Sequence, residues 1–156
     1  MDSSFLVSLY VTDQHSTVSR QRVLMAPSLW LTALHRAEWA HAIAQHVFRG
    51  ELSAREANQM HRQLEQDQSN GIWMPAGIPE NAFDTCEDLG RRYGPKLGVR
   101  TLDSLHVATA LELKAERFWS FVDRQQKLAK IVGLQILSWS EVPMLTVTRL
   151  PSEIHC

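Results

Sequence analysis

The chain has 156 residues, 44% of them hydrophobic and 21% charged, with a formal net charge of −1. That length and mix describe one globular domain with a core of its own and exclude a disordered chain. The balanced charge excludes a globally basic nucleic-acid binder while allowing a local basic patch.

The first segment, Asp2 to Tyr10, opens on an acid and two hydroxyls and then turns apolar. Asp2 or Ser3 caps a short helix whose apolar side is Phe5, Leu6, Leu9 and Tyr10. Thr12 to Ser16 reads as a loop. Val23-Leu24-Met25-Ala26 is a short apolar run closed by Pro27-Ser28, and its pattern predicts a buried strand followed by a helix cap. The next helix is expected from Ser28 or Leu29 to Arg49. Leu31, Leu34, Glu38 and Ala42 share a stripe there, so Glu38 sits on the apolar side. A carboxylate in that position is either a rim residue or a group that is paired, hydrogen-bonded or bound to a cation.

Ser53-Ala54-Arg55-Glu56 matches a capping box and starts a polar helix to Ser69. Asn70-Gly71 is a turn, and Ile72 to Pro75 a short edge strand, since its proline disfavours a central position. Pro79 and Glu80 open a helix reaching Tyr93, and Gly94 to Gly98 reads as a loop. Thr101 then caps a helix to Lys114, which puts Asp103 at its second position. There the helix dipole and free N–H groups favour an acid, so Asp103 alone has a purely structural explanation. Arg117 to Asp123 reads as an aromatic strand ending on an acid. A helix closed by Gly133 and a strand from Leu134 to Trp139 complete the pattern. Alternating strands and helices indicate an α/β layered fold with a mostly parallel sheet, whose sites form at the C-terminal strand ends.

Asp2, Glu38, Asp103 and Asp123 are acids at the edges of apolar segments. Brought together they would repel one another, and Mg²⁺ or Mn²⁺ would resolve the repulsion, because hard oxygen ligands suit hard cations. Carboxylate-held metal suits phosphodiester hydrolysis. The seven histidines form no HExxH or paired ligand set. His106, one turn beyond Asp103, is either a support for the acids or a packed helix histidine. Arg91, Arg92, Lys96 and Arg100, and likewise Arg117, Arg124, Lys127 and Lys130, are either phosphate contacts or ordinary solvated charge. Cys86 and Cys156 fit no metal or redox spacing, and the lack of a signal peptide or long apolar span gives the cytoplasm as the expected address.

Four stretches, in order, resemble the motifs of PIN-domain ribonucleases of the VapC toxin type. They are Asp2 to Tyr10, Leu31 to Glu38, Arg100 to Ala110 and Phe121 to Ala129. The resemblance implies a three-layer fold with a mostly parallel sheet flanked by helices over residues 1–139, followed by a tail, 140–156, of unassigned role. It implies Mg²⁺-dependent RNA cleavage, with Asp2 and Asp103 as main metal ligands, Glu38 and Asp123 completing the pocket, and Ser4 supporting Asp2. It also implies a homodimer silenced by a small antitoxin in a type II toxin–antitoxin pair, with no membrane partner. The alternatives are a PIN nuclease of RNA processing, or an impaired module that binds RNA or antitoxin without cutting. In the family a central strand immediately precedes the first Asp, whereas only Met1 precedes Asp2 here. That strand is therefore expected to be missing from the sheet, through a start upstream of Met1 or through degeneration.

Overall fold

The structure is a computed structural model that describes residues 1–24 and 29–136. Its elements in chain order are α1 (Ser3–Tyr10), α2 (Ser16–Leu24), β1 (Leu29–Leu31), α3 (Ala33–Phe48), α4 (Ala54–Ser69), β2 (Trp73–Pro75), α5 (Asn81–Leu97), α6 (Thr101–Glu112) and α7 (Asp123–Ile131). β1 and β2 pair in parallel, Leu29 with Trp73 through Leu31 with Pro75. A separate parallel bridge joins Arg117 to Gln135. The α/β character and the parallel direction agree with the sequence pattern. Among the described residues, no helix is long and apolar enough to cross a membrane.

Local chemistry explains most of the helix starts. Asp2 caps α1 by accepting from the Phe5 N–H, and Ser53 and Glu56 form the expected reciprocal cap of α4. Thr32 caps α3 in the same manner, with His35 rather than an acid reaching back to the cap N–H. The hydrophobic core falls into two clusters. One gathers Leu6, Leu31, Trp39, Ile43, Leu64 and Trp73 around α1, α3, α4 and the sheet. The other gathers Leu89, Leu105, Val107, Phe118, Leu128 and Leu134 around α5, α6 and α7.

Several expectations need correction. Val23 and Leu24 are not a buried strand; they close α2, and Leu24 is 78% exposed. A run of four apolar residues carries too little periodicity to separate strand from helix, and Asp13, which binds the His15 N–H and the Ser16 hydroxyl, starts the helix instead. Met25 to Ser28, the rest of that run and its cap, lie outside the described residues. Leu29 to Leu31 is strand rather than the first turn of a helix. Gly94 to Leu97 is not loop, because α5 runs through Pro95 for a last turn. Proline forfeits a single bond there, and the helix ends at Gly98 in the left-handed conformation, φ 62°. The N-cap of α6 is Arg100, so Asp103 occupies the third helical position, not the second. Arg117 to Asp123 contributes one bridge rather than a full strand, and Asp123 belongs to α7. Leu137 to Trp139 of the final strand and the tail 140–156 lie outside the described residues.

Candidate active site

The acids are placed by the starts of α1 and α6 and by one face of α3. Asp2 is only 4% exposed. Its backbone N–H donates to the Trp119 carbonyl at 2.8 Å, which fixes the start of α1 against the segment that follows α6. Its carboxylate accepts from the Phe5 N–H at 3.1 Å, from the Ser4 hydroxyl at 2.8 Å and from the Ser120 hydroxyl at 2.9 Å. All three donors are neutral. Burial therefore pushes the Asp2 carboxyl above the usual carboxylate range, although those bonds and the nearby His106 pull it down.

Glu38 projects from α3 and is half-buried. It accepts from the Ser3 hydroxyl at 2.6 Å and from His106 Nε2 at 2.5 Å. Burial works to raise its carboxyl, yet the His106 bond and charge, with the Ser3 hydroxyl, hold it below the usual range. Ser3 and Ser4 are consecutive, so Asp2 and Glu38 are joined through one short piece of backbone. His106 is buried on α6, and its ring lies 4.8 Å from that of His35. His35 Nδ1 faces the Thr32 N–H at 3.1 Å, so this nitrogen is the acceptor. Its Nε2 therefore carries the proton and donates to the Met1 carbonyl at 3.0 Å. Burial, with His106 alongside, pushes His35 down to about 3.

Asp103 is reached less directly. Its carboxylate accepts from the Arg100 N–H at 3.0 Å and pairs with Arg124 of α7. Its backbone carbonyl accepts from Gln125 at 3.0 Å, and Gln125 in turn meets Ser120, the partner of Asp2, at 2.6 Å. Asp103 and Asp2 are thus linked through Gln125 and Ser120. Asp123 stands apart: its side chain is 78% exposed and pairs with Lys127 at 2.7 Å. Among the described residues no group of three or more His, Cys, Asp or Glu side chains is arranged to hold a metal ion.

The donor set nevertheless suits a hard cation at one point. Asp2 is a buried carboxylate whose hydrogen-bond partners carry no positive charge, whereas Glu38 and Asp103 have His106 and Arg124. Beside Ser3, Ser4 and Glu38 lies an open cleft of about 720 Å³, also lined by His15, His41 and Phe121. The His15 and Phe121 rings stack there with centroids 4.0 Å apart.

Ser3, Ser120 and Gln125 belong to this network and were not singled out as site residues from the sequence, while Arg124 was grouped only with surface cations. The Ser3-Ser4 pair directly after Asp2 is a readable signal. Ser120 and Gln125 have none, since their partners lie on other elements.

No curated protein matches the chain. The PIN-domain family model matches residues 1–131, and PIN domains are generally nucleases that use divalent metals and act on RNA. The match spans most of the chain, including the starts of α1, α6 and α7 and the acidic face of α3, and the chain belongs to the PIN-domain family.

Proposed function

We propose that the protein is a divalent-metal-dependent endoribonuclease and the toxin half of a type II toxin–antitoxin pair, working in the cytoplasm. The observation that carries the nuclease reading is Asp2, a buried carboxylate with neutral donors only, joined through Ser3 and Ser4 to Glu38 at the mouth of an open cleft. Asp2 and Asp103 would be the principal ligands of Mg²⁺ or Mn²⁺, with Glu38 and Asp123 completing the acidic set. A bound ion supplies phosphate polarisation and a water of lowered pKa. Ser4 and Ser120 orient the Asp2 carboxylate, and His106 and Ser3 orient that of Glu38. Arg124 is the internal counter-ion that Asp103 would give up on ligation. Substrate RNA and the antitoxin would share the cleft lined by Phe121 and His15, and the resemblance to VapC toxins supports a homodimer.

The test is RNA cleavage in Mg²⁺ or Mn²⁺, beside an EDTA control and an Asp103→Asn variant. We expect both changes to abolish cleavage; activity that survives both removes the acid mechanism. Growth arrest on expression, relieved by a protein encoded in a neighbouring short reading frame, is expected for the toxin role. One observation favours a second reading, a PIN module that binds RNA or antitoxin without cutting: the Asp103 and Glu38 carboxylates already have Arg124 and His106 as partners. RNA retention without cleavage under every metal condition would favour that module.

A further inference from the structure

On the other side of the Asp2 backbone lies a second cavity, of about 420 Å³, walled by β1 and by the segment around Arg117. Its lining is mostly apolar and includes Trp30, Ala110, Leu113 and Trp119. Both strand walls turn backbone polar groups into it. Successive peptide groups of an extended chain point alternately to its two sides. The Leu31 carbonyl accepts from the Ala76 N–H on the β2 side, so the N–H and C=O of Trp30 point the other way, into the slot. On the opposite wall, the Phe118 N–H and the Glu116 carbonyl bond to Gln135, so those of Arg117 and Trp119 also face the slot. Among the described residues, the Trp119 carbonyl alone of these four Arg117 and Trp119 groups has a backbone partner, the Asp2 N–H.

Two further polar atoms are left over at this wall. Thr109 Oγ1 and Trp119 Nε1, on residues that line the slot, are buried with no hydrogen-bond partner. Buried polar groups without partners are rare and costly, and a row of them along two strand edges is the template for an added strand. The Met1–Asp2 backbone shows the docking mode at one end: it bonds to the Trp119 carbonyl and accepts from His35 through the Met1 carbonyl.

We propose that this slot receives an extended, apolar, β-branched segment of a partner protein, which adds a strand between β1 and the Arg117–Trp119 segment. Backbone hydrogen bonds to Trp30, Arg117 and Trp119 supply the affinity, and the apolar lining selects Val- and Ile-rich sequence over polar sequence. The site lies apart from the cleft beside Glu38 and is independent of whether the protein cuts RNA.

The probe is a synthetic peptide of five alternating Val and Ile residues flanked by lysines, acetylated and amidated. Its control replaces the central residue by proline, which removes a ladder donor and blocks the strand. Two readouts report on the slot itself: tryptophan emission, since Trp30 and Trp119 line it, and hydrogen exchange at the Trp30, Arg117 and Trp119 amides. Saturable emission change with exchange at those amides slowed at least about tenfold is expected, as is binding of the proline peptide weaker by at least about tenfold. Ala115→Trp, which fills the slot, should block the peptide; circular dichroism and the peptide's own proline control separate blocking from misfolding. Equal binding of both peptides, or no protection at the slot amides, overturns the proposal. So does protection already present without peptide: lost on dilution it assigns the slot to a second copy, and at all concentrations it assigns it to the chain itself.

Discussion

At the residue scale, the site is a set of buried polar groups whose ionisation is set by what each touches. His35 gives a direct consequence. Its folded-state value is pushed down to about 3, while an unfolded chain has the ordinary imidazole near 6.5. Between those values the unfolded state holds a proton that the folded state does not. Stability is therefore full above pH 6.5 and falls as pH drops toward 3, by at most about 1.4 kcal/mol per pH unit. The His35→Gln variant should lack this slope, so that wild type loses about 2 to 3 kcal/mol more than the variant between pH 7 and 4.5 in urea titrations. Parallel profiles would show that His35 is not held neutral. Asp2 yields a second prediction. Asparagine caps a helix as well as aspartate does, so Asp2→Asn should keep α1 and its fold. Mg²⁺ should raise the melting temperature of wild type by binding the folded state, and should leave that of Asp2→Asn unchanged. The identities of Asp2, Glu38 and Asp103 were legible because an acid on an apolar stripe or at a helix start stands out in one dimension. Their partners were not: Glu38 meets His106 across 68 positions and Asp2 meets Ser120 across 118, separations that only the fold closes.

At the element scale, what was legible was local. The caps at Asp2 and Ser53 involve atoms three residues apart, and the sequence displays both partners. Two elements misled for the same reason in reverse. Val23-Leu24 looks like strand by composition, but the helix start at Asp13 and Ser16 controls it. Gly94-Pro95 looks like a breaker, but a proline near a helix end forfeits little, and α5 stops one turn later at Gly98. Gly98 carries the testable consequence. Its φ is 62°, and a Cβ built there meets nothing within 4 Å. The penalty of a side chain is therefore purely one of backbone conformation. Gly98→Ala should cost about 1 to 2 kcal/mol in chemical denaturation, and Gly98→Asn less, because asparagine tolerates the left-handed region. Equal costs for the two would point to a packing cause instead.

At the scale of the whole molecule, two hydrophobic clusters have to behave as one folding unit. The polar ties between their elements are those of the candidate site: Asp2 with Trp119 and Ser120, and Glu38 with His106. The apolar tie is Phe5. It is fully buried on α1, and its ring lies 5.0 Å from that of Trp119 and 5.9 Å from that of Phe121. Phe5 thus packs the α1 side of the molecule onto the segment that follows α6, directly under the acid network. Truncating a fully buried phenylalanine costs about 3 to 5 kcal/mol, a large share of a stability of about 5 to 15 kcal/mol. A residue inside one cluster, such as Leu64, should cost about 2 to 5 kcal/mol on truncation and leave unfolding cooperative. Phe5→Ala should differ in kind. Amide exchange should accelerate in α1 and α3 well before α5 and α6, because the joint between the clusters is what has been removed. Binding of a divalent ion should weaken in the same variant, since the Asp2 backbone and the Ser120 hydroxyl sit on the two sides of that joint. Uniform acceleration across all helices in Phe5→Ala, matching that in Leu64→Ala, would mean that the clusters are coupled elsewhere and that the acid network is not where the two halves of the fold meet.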